Sequence, residues 1–206
     1  MTQPPTDCAL CPRLVALRRQ VRVDHPDYHA GPVPAFGPTD ARLLVVGLAP
    51  GMHGANATGR PFTGDHAGGL LYRTLHDFGF ASSPVSESAE DGLRLIDCRI
   101  TNVVKCLPPQ NKPVAAEVNA CNRFLATELE TPTVLVALGG VAHKAVVRAF
   151  GLRQKAHVFG HGAAHALNAR QTLIDSYHCS RYNTNTRRLT AAMFADVFSA
   201  ARDRLA

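Results

Sequence analysis

Short apolar runs alternate with longer amphipathic stretches along most of the chain. Residues 42–47 (RLLVVG) form a β-branched run closed by glycine and predict a buried parallel strand. Residues 95–104 (LIDCRITNVV), 133–138 (TVLVAL) and 171–177 (QTLIDSY) predict three more. Helical spacing of Leu70, Leu71, Leu75 and Phe78 predicts a helix over 67–78. Others are predicted over 113–130 behind a proline start, over 141–150, and at the two ends over 11–23 and 186–205. The stretch 48–65 is rich in glycine and polar residues, and 81–92 reads as an exposed loop. Strands alternating with helices imply a parallel sheet covered on both faces. The expected fold is therefore α/β: a three-layer α/β/α sandwich around a central, mainly parallel four-stranded sheet, in one domain over 1–206. In such sheets ligands bind beyond the carboxyl ends of the strands. That rule selects the loops after Gly47, Val104, Leu138 and Tyr177.

Composition narrows the class. At 206 residues, with 46% hydrophobic and 18% charged residues, the chain can bury one core and is not disordered. No apolar run approaches the ~18 residues of a membrane-spanning helix. The start, Met1 to Asp7, has neither a basic nor an apolar leader segment, so an intracellular location is expected. The formal charge is +6, and 18 of the 22 basic residues are arginine. Arginine's planar fork suits phosphate, which points to a polyanionic partner; a composition bias of the genome gives the same excess. Six cysteines in a chain of this kind suggest metal or cluster ligation and not a disulfide framework.

Two of the selected loops carry chemistry. The first, GLAPGMHGANATGRPFTGD over 47–65, has five glycines that let backbone approach a ligand, yet it is neither a Walker loop nor a dinucleotide fingerprint. The last, YHCSRYNTNT over 177–186, puts His178 just past a buried strand, followed by hydroxyls, amides, Arg181 and Tyr182. Cys8 and Cys11 form a CxxC pair near the start, with Cys106 and Cys121 further on. Four soft thiolates from two distant pairs suit either tetrahedral zinc or an iron–sulfur cluster.

Together with TNVVKC over 101–106, these two loops resemble the B-type (fifth) family of uracil-DNA glycosylases, and the resemblance runs from Cys8 to the final helix. It implies a monofunctional hydrolase of base-excision repair, a monomer acting on damaged DNA in the cytoplasm at the nucleoid. The base is flipped into a pocket and its N-glycosidic bond hydrolysed. It also implies a [4Fe–4S] cluster on Cys8, Cys11, Cys106 and Cys121, pinning residues 1–40 to the domain. By the same resemblance His178 stabilises the departing base, and Asn102 holds the base edge or the catalytic water. Phe62 stacks on the base, with Gly47, Ala49 and Asn56 around it. Ser180, Arg181, Tyr182, Asn183 and Asn185 are expected on the DNA, as wedge or phosphate ligands. Ala49 stands where other branches of the superfamily carry a polar group. Water activation is then left to Asp65, Asn102 or Asn56, although Asp65 equally reads as a helix N-cap. Cys179 replaces the family's usual proline after the histidine. A non-catalytic iron–sulfur protein that only binds lesions is the rival expectation.

Overall fold

The computed structural model describes residues 3–206; the first two residues of the expected domain lie outside them. In chain order the elements are α1 (Pro12–Asp24), β1 (Leu43–Gly47), α2 (Ala55–Thr58), α3 (His66–Asp77), β2 (Cys98–Asn102) and α4 (Ala115–Glu128). They continue with β3 (Val134–Leu138), α5 (Gly140–Ala149), β4 (Ala164–Ala166), β5 (Thr172–Ser176), α6 (Arg181–Asn185) and α7 (Ala191–Asp203). The sheet runs β2-β1-β3-β5-β4, parallel except for β4.

Alternation along the strands makes the three layers. Leu43 and Val45 of β1 face one side, with Val136, Ile174, Leu71 and Leu75 of α3 and Phe194 and Phe198 of α7. Leu44 and Val46 face the other, with Leu135, Leu173, Leu14 of α1, Phe124 and Leu125 of α4 and Val146 of α5. Because both faces are covered, the central strands read as unbroken apolar runs. Cys98 and Cys179 are fully buried in the first of these clusters. No helix among the described residues is long and apolar enough to cross a membrane.

Several sequence expectations need correction. The sheet has five strands, not four: β4 is a three-residue edge strand of small residues around His165, antiparallel to β5, and has no apolar run to announce it. The second strand is only Cys98–Asn102. Leu95 instead bridges Ala81, and Asp97 at φ +50° turns the chain between the two pairings. The closing helix starts at Ala191 and not at 186: Arg187 (φ +56°) turns the chain after the separate α6, and Thr190 accepts from the Met193 amide to start α7. The glycine-rich loop also contains α2, which ends at Gly59 in the left-handed region.

The exposed loop over 81–92 proves to be an anchor. Arg60, almost fully buried, donates from Nη1 to Asp91 at 2.7 Å and to Ser86 at 3.0 Å, and from Nη2 to the Ala89 carbonyl at 2.6 Å. Two residues on, Phe62 has φ +56°, a conformation unfavourable for a bulky side chain. Its turn is clamped by Arg60 on one side and by the Tyr72 hydroxyl, donating to the Pro61 carbonyl at 2.7 Å, on the other. Burial opposes ionisation of Asp91. The Arg60 guanidinium and the amides of Leu93, Glu87 and Ser88 outweigh it and hold the carboxyl at about 2.

Arg60→Ala should therefore destabilise the fold by about 3–5 kcal/mol, the usual effect of breaking a buried pair. Denaturant titration should show a lower midpoint with an unchanged slope. The Asp91 contribution is present above pH ~4 and is lost as pH falls towards 2, so the variant should lose less stability than the parent across that window.

Candidate active site and cysteine centre

A cavity of about 460 Å³ opens at the carboxyl ends of β1, β2, β3 and β5. Ala49, Phe62, Asp65, Asn102, Leu138 and His178 all line it, so the four chosen strand ends meet at one place. Gly47 makes the meeting possible. In the β1–β2 ladder it pairs with Asn102, and a Cβ at this position would lie 2.4 Å from Asn102 Oδ1 and 2.6 Å from Phe62 Cζ. The Phe62 and His178 rings lie 5.9 Å apart, inclined by 28°.

Each polar group in the pocket has a distinct state. Burial pushes His178 down to about 4, so its imidazole is neutral at pH 7. Its Nδ1 is buried without a partner, and its backbone carbonyl accepts from Asn183 Nδ2 at 2.8 Å. Asn102 is buried with Oδ1 unpartnered. Asp65 is the N-cap of α3, Oδ1 accepting from the Gly68 amide at 2.9 Å. Desolvation by the surrounding loop raises its pKa, and among the described residues nothing hydrogen-bonds Oδ2. Gly54 admits this carboxyl, since a Cβ there would sit 2.8 Å from Oδ2.

The other expected site residues are placed around these. Asn56 is buried in α2, behind the wall, with Nδ2 unpartnered. Ser180 caps α6, and both Ser180 and Arg181 reach the cavity. Tyr182, 72% exposed, stands out from the rim, and Asn185 is also exposed. The Asn183 side-chain nitrogen is used inside the protein, bracing His178. Sequence reasoning missed Asn111, which lines the mouth in the left-handed conformation after Pro108-Pro109-Gln110. The proline pair was the available signal.

Away from this pocket, on the α1/α4 side of the sheet, Cys8, Cys11, Cys106 and Cys121 line a second, small cavity with Arg18 and Lys105. Arg18 is buried. Its Nη2 donates to the Cys8 carbonyl at 3.2 Å, but Nε and Nη1 have no partner. The Lys105 amide donates to Cys121 Sγ at 3.4 Å. No three of the thiols lie within 4.8 Å of one another.

A pocket that sets the Phe62 ring, the Asn102 amide and the uncharged His178 imidazole together at the strand ends of an α/β domain has the chemistry to hold a flat, polar heterocycle. The family profile described as the Uracil DNA glycosylase superfamily matches residues 34–202. The chain is 48% identical to a type-5 uracil-DNA glycosylase of Thermus thermophilus, over 96% of its own length and 93% of the relative's. Identity to the type-5 enzyme of Mycobacterium bovis is 44%, over 95% of this chain and 77% of that one. The type-5 enzyme of Pyrobaculum aerophilum gives 43%, over 95% and 88%. The chain belongs to the uracil-DNA glycosylase superfamily and, within it, to the fifth type.

Gly47→Ala places its methyl inside the space of both Asn102 and Phe62. It should cut base release at least tenfold while the protein stays folded, because the displaced groups lie at the cavity wall. Single-turnover base release alongside a thermal melt checks this.

Proposed function

We propose that the cavity receives one uracil everted from DNA, where water hydrolyses the N-glycosidic bond to leave free base and an abasic site. The observation that carries this is the convergence of His178, Asn102 and Phe62 on a single cavity at the strand ends. Deaminated purines such as hypoxanthine fit the same reading, because Ala49 and Leu138 make a wall with few groups to reject them. A single chain suffices, with the exposed Tyr182 and the basic Arg181 on the face presented to the duplex.

The chemistry follows from the states of the side chains. Phe62 offers a ring surface for the everted base, and Asn102 offers an amide to its edge. As the glycosidic bond breaks, its electron pair moves onto the base. A neutral imidazole N–H of His178 stabilises that charge without needing a proton from solvent. Water bonds to the sugar C1′, and the proton it gives up balances the one taken up by the base anion as free base leaves. Asp65 is the group at the rim with a free carboxylate oxygen to orient that water, while its other oxygen caps α3. Capping and water positioning are thus compatible in one carboxylate.

The reading extends to a [4Fe–4S] cluster on Cys8, Cys11, Cys106 and Cys121. The four thiols, from two pairs distant in sequence, line one small cavity, as a shared metal centre requires. The two unpartnered N–H groups of Arg18 supply what a negatively charged cluster needs, a buried cation with free donors. When bound, the cluster supplies a cross-link that holds α1 and the segment before it to α4 and the loop after β2.

Base release from uracil- and hypoxanthine-containing duplexes tests the assignment. His178→Ala should slow single-turnover release by about 10²–10³-fold, and Asn102→Ala should also slow it. Asp65→Asn, which keeps the cap, should slow release with little change in melting temperature. The parent rate should show no inflection near pH 6.5 from His178, which stays neutral down to about pH 4. Strands left intact by alkali after incubation would make the protein a lesion binder, and release of uracil alone would remove the purine activity.

Arg18→Met should leave the cluster's iron content unchanged and lower its reduction potential by tens of millivolts, since removing a cation and its donors disfavours the reduced form. Electrochemistry of the purified protein checks this; an unchanged potential would separate Arg18 from the cluster.

A further inference from the structure

Behind the strand that carries His178 lies a second cluster of ligand-type side chains. His143 in the first turn of α5, His165 of β4 and Asp175 of β5 are, among the described residues, the one trio of His, Cys or acidic groups whose ligand atoms all fall within 4.8 Å of one another. Asp175 and His143 are fully enclosed, and the His165 side chain keeps 11% of its surface open to solvent. The Asp175 carboxylate bridges the two rings, Oδ1 at 2.8 Å from His143 Nδ1 and Oδ2 at 3.0 Å from His165 Nε2.

The hydrogen bonds outside the trio fix which lone pairs point inward. His143 Nε2 lies 2.8 Å from the His157 carbonyl oxygen. A carbonyl only accepts, so Nε2 carries the hydrogen. With Nε2 donating, the short contact between Nδ1 and Asp175 Oδ1 is held by a cation between the two atoms, either a proton on His143 or a metal ion on the Nδ1 lone pair. The outer contacts are those of a metal ligand set. The imidazole donates its far N–H to a backbone carbonyl, and the carboxylate accepts a backbone N–H from Gly160 at 3.2 Å. Two imidazole nitrogens and one carboxylate suit zinc and its late first-row neighbours. Bonds of about 2.0 Å in a tetrahedron need ligand atoms roughly 3.3 Å apart, a few tenths of an ångström wider than the observed separations.

We propose that His143 Nδ1, His165 Nε2 and the Asp175 carboxylate bind one divalent late first-row metal ion, zinc being the probe of choice. A fourth position is left to water entering past His165. The ion would join α5, β4 and β5 at Asp175, three residues before His178. This site is separate from the cysteine centre, whose ligands lie on other elements.

The test uses the purified protein with its cysteine centre intact. After dialysis against a chelator and assay of iron, Zn²⁺ is titrated in and removed again from the unbound fraction. The expected result is one zinc retained per chain at unchanged iron. The melting temperature should rise by roughly 5–10 °C at free zinc about a hundredfold above the dissociation constant. His165→Gln, at the solvent-facing ligand, should lose both effects, and Asp175→Asn likewise. Three outcomes overturn the proposal: no saturable zinc in the parent, zinc taken up only as iron leaves, or uptake undiminished in His165→Gln. If Asp175→Asn does not fold, the parent and His165→Gln decide. Absence of zinc in the parent would mean that a proton holds the His143–Asp175 contact instead.

Discussion

The pocket depends on an empty space at the end of β1. Gly47 is the one residue type that allows the Asn102 amide and the Phe62 ring to occupy the same neighbourhood, since any Cβ there would overlap both. The constraint is set by the ladder. Register pairs Gly47 with Asn102, and the Gly47 carbonyl accepts from the Val103 amide at 2.9 Å, so neither strand can slide to make room. A local choice of glycine thereby fixes the position of two side chains contributed by segments 40 residues apart. His178 joins them because β5 ends at the same level of the sheet, two strands away.

Phe62 shows how such a position is held. A bulky residue in the left-handed region stores strain of order 1–3 kcal/mol, which the surroundings must over-determine. Here Arg60 is tied into the 86–91 loop, Tyr72 grips the Pro61 carbonyl, and α3 passes so close that a Cβ on Gly68 would lie 1.8 Å from the Phe62 carbonyl oxygen. These contacts reach from a long loop and a helix into one turn. They fix the ring through contacts within the protein alone, the preorganisation that the proposed stacking role requires.

The distribution of legible and illegible features follows the range of the interactions. The four central strands and the main helices are visible as apolar periodicity, a property of neighbouring residues. His178 is legible from its strand end, whereas Asn102, Phe62 and Asp65 are singled out by the family resemblance of their loops; all four line one cavity. The short edge strand around His165 is invisible: its pairing energy comes from β5, and Ala164, His165 and Ala166 carry no pattern of their own. Arg60 with Asp91, and His143 with Asp175 and His165, are equally hidden. Each joins residues ten or more positions apart, at least one of which sits in a stretch that reads as solvent-exposed or featureless. Asn183 was legible as a polar loop residue, but its use inside the protein, on the His178 carbonyl, depends on the turn that starts α6.

Ala49 and the charge state of His178 are two aspects of one design. Both line the same cavity, and burial alone holds the imidazole at about 4. A carboxylate at position 49 would favour the imidazolium and draw His178 back towards protonation at neutral pH. Alanine adds no second carboxylate beside Asp65, and burial leaves the ring uncharged, the state in which the proposed reading has its N–H meet the departing base. The water must then be oriented from the rim, where Asp65 keeps one oxygen on the Gly68 amide and one free. Asn102 Oδ1 has no partner within the protein, and a bound group that left it unpaired would cost roughly 1–3 kcal/mol. A ligand that displaces water from that position must present hydrogen-bonding groups of its own. Sparse polarity therefore loosens the choice among bases without making the pocket indifferent to apolar ones.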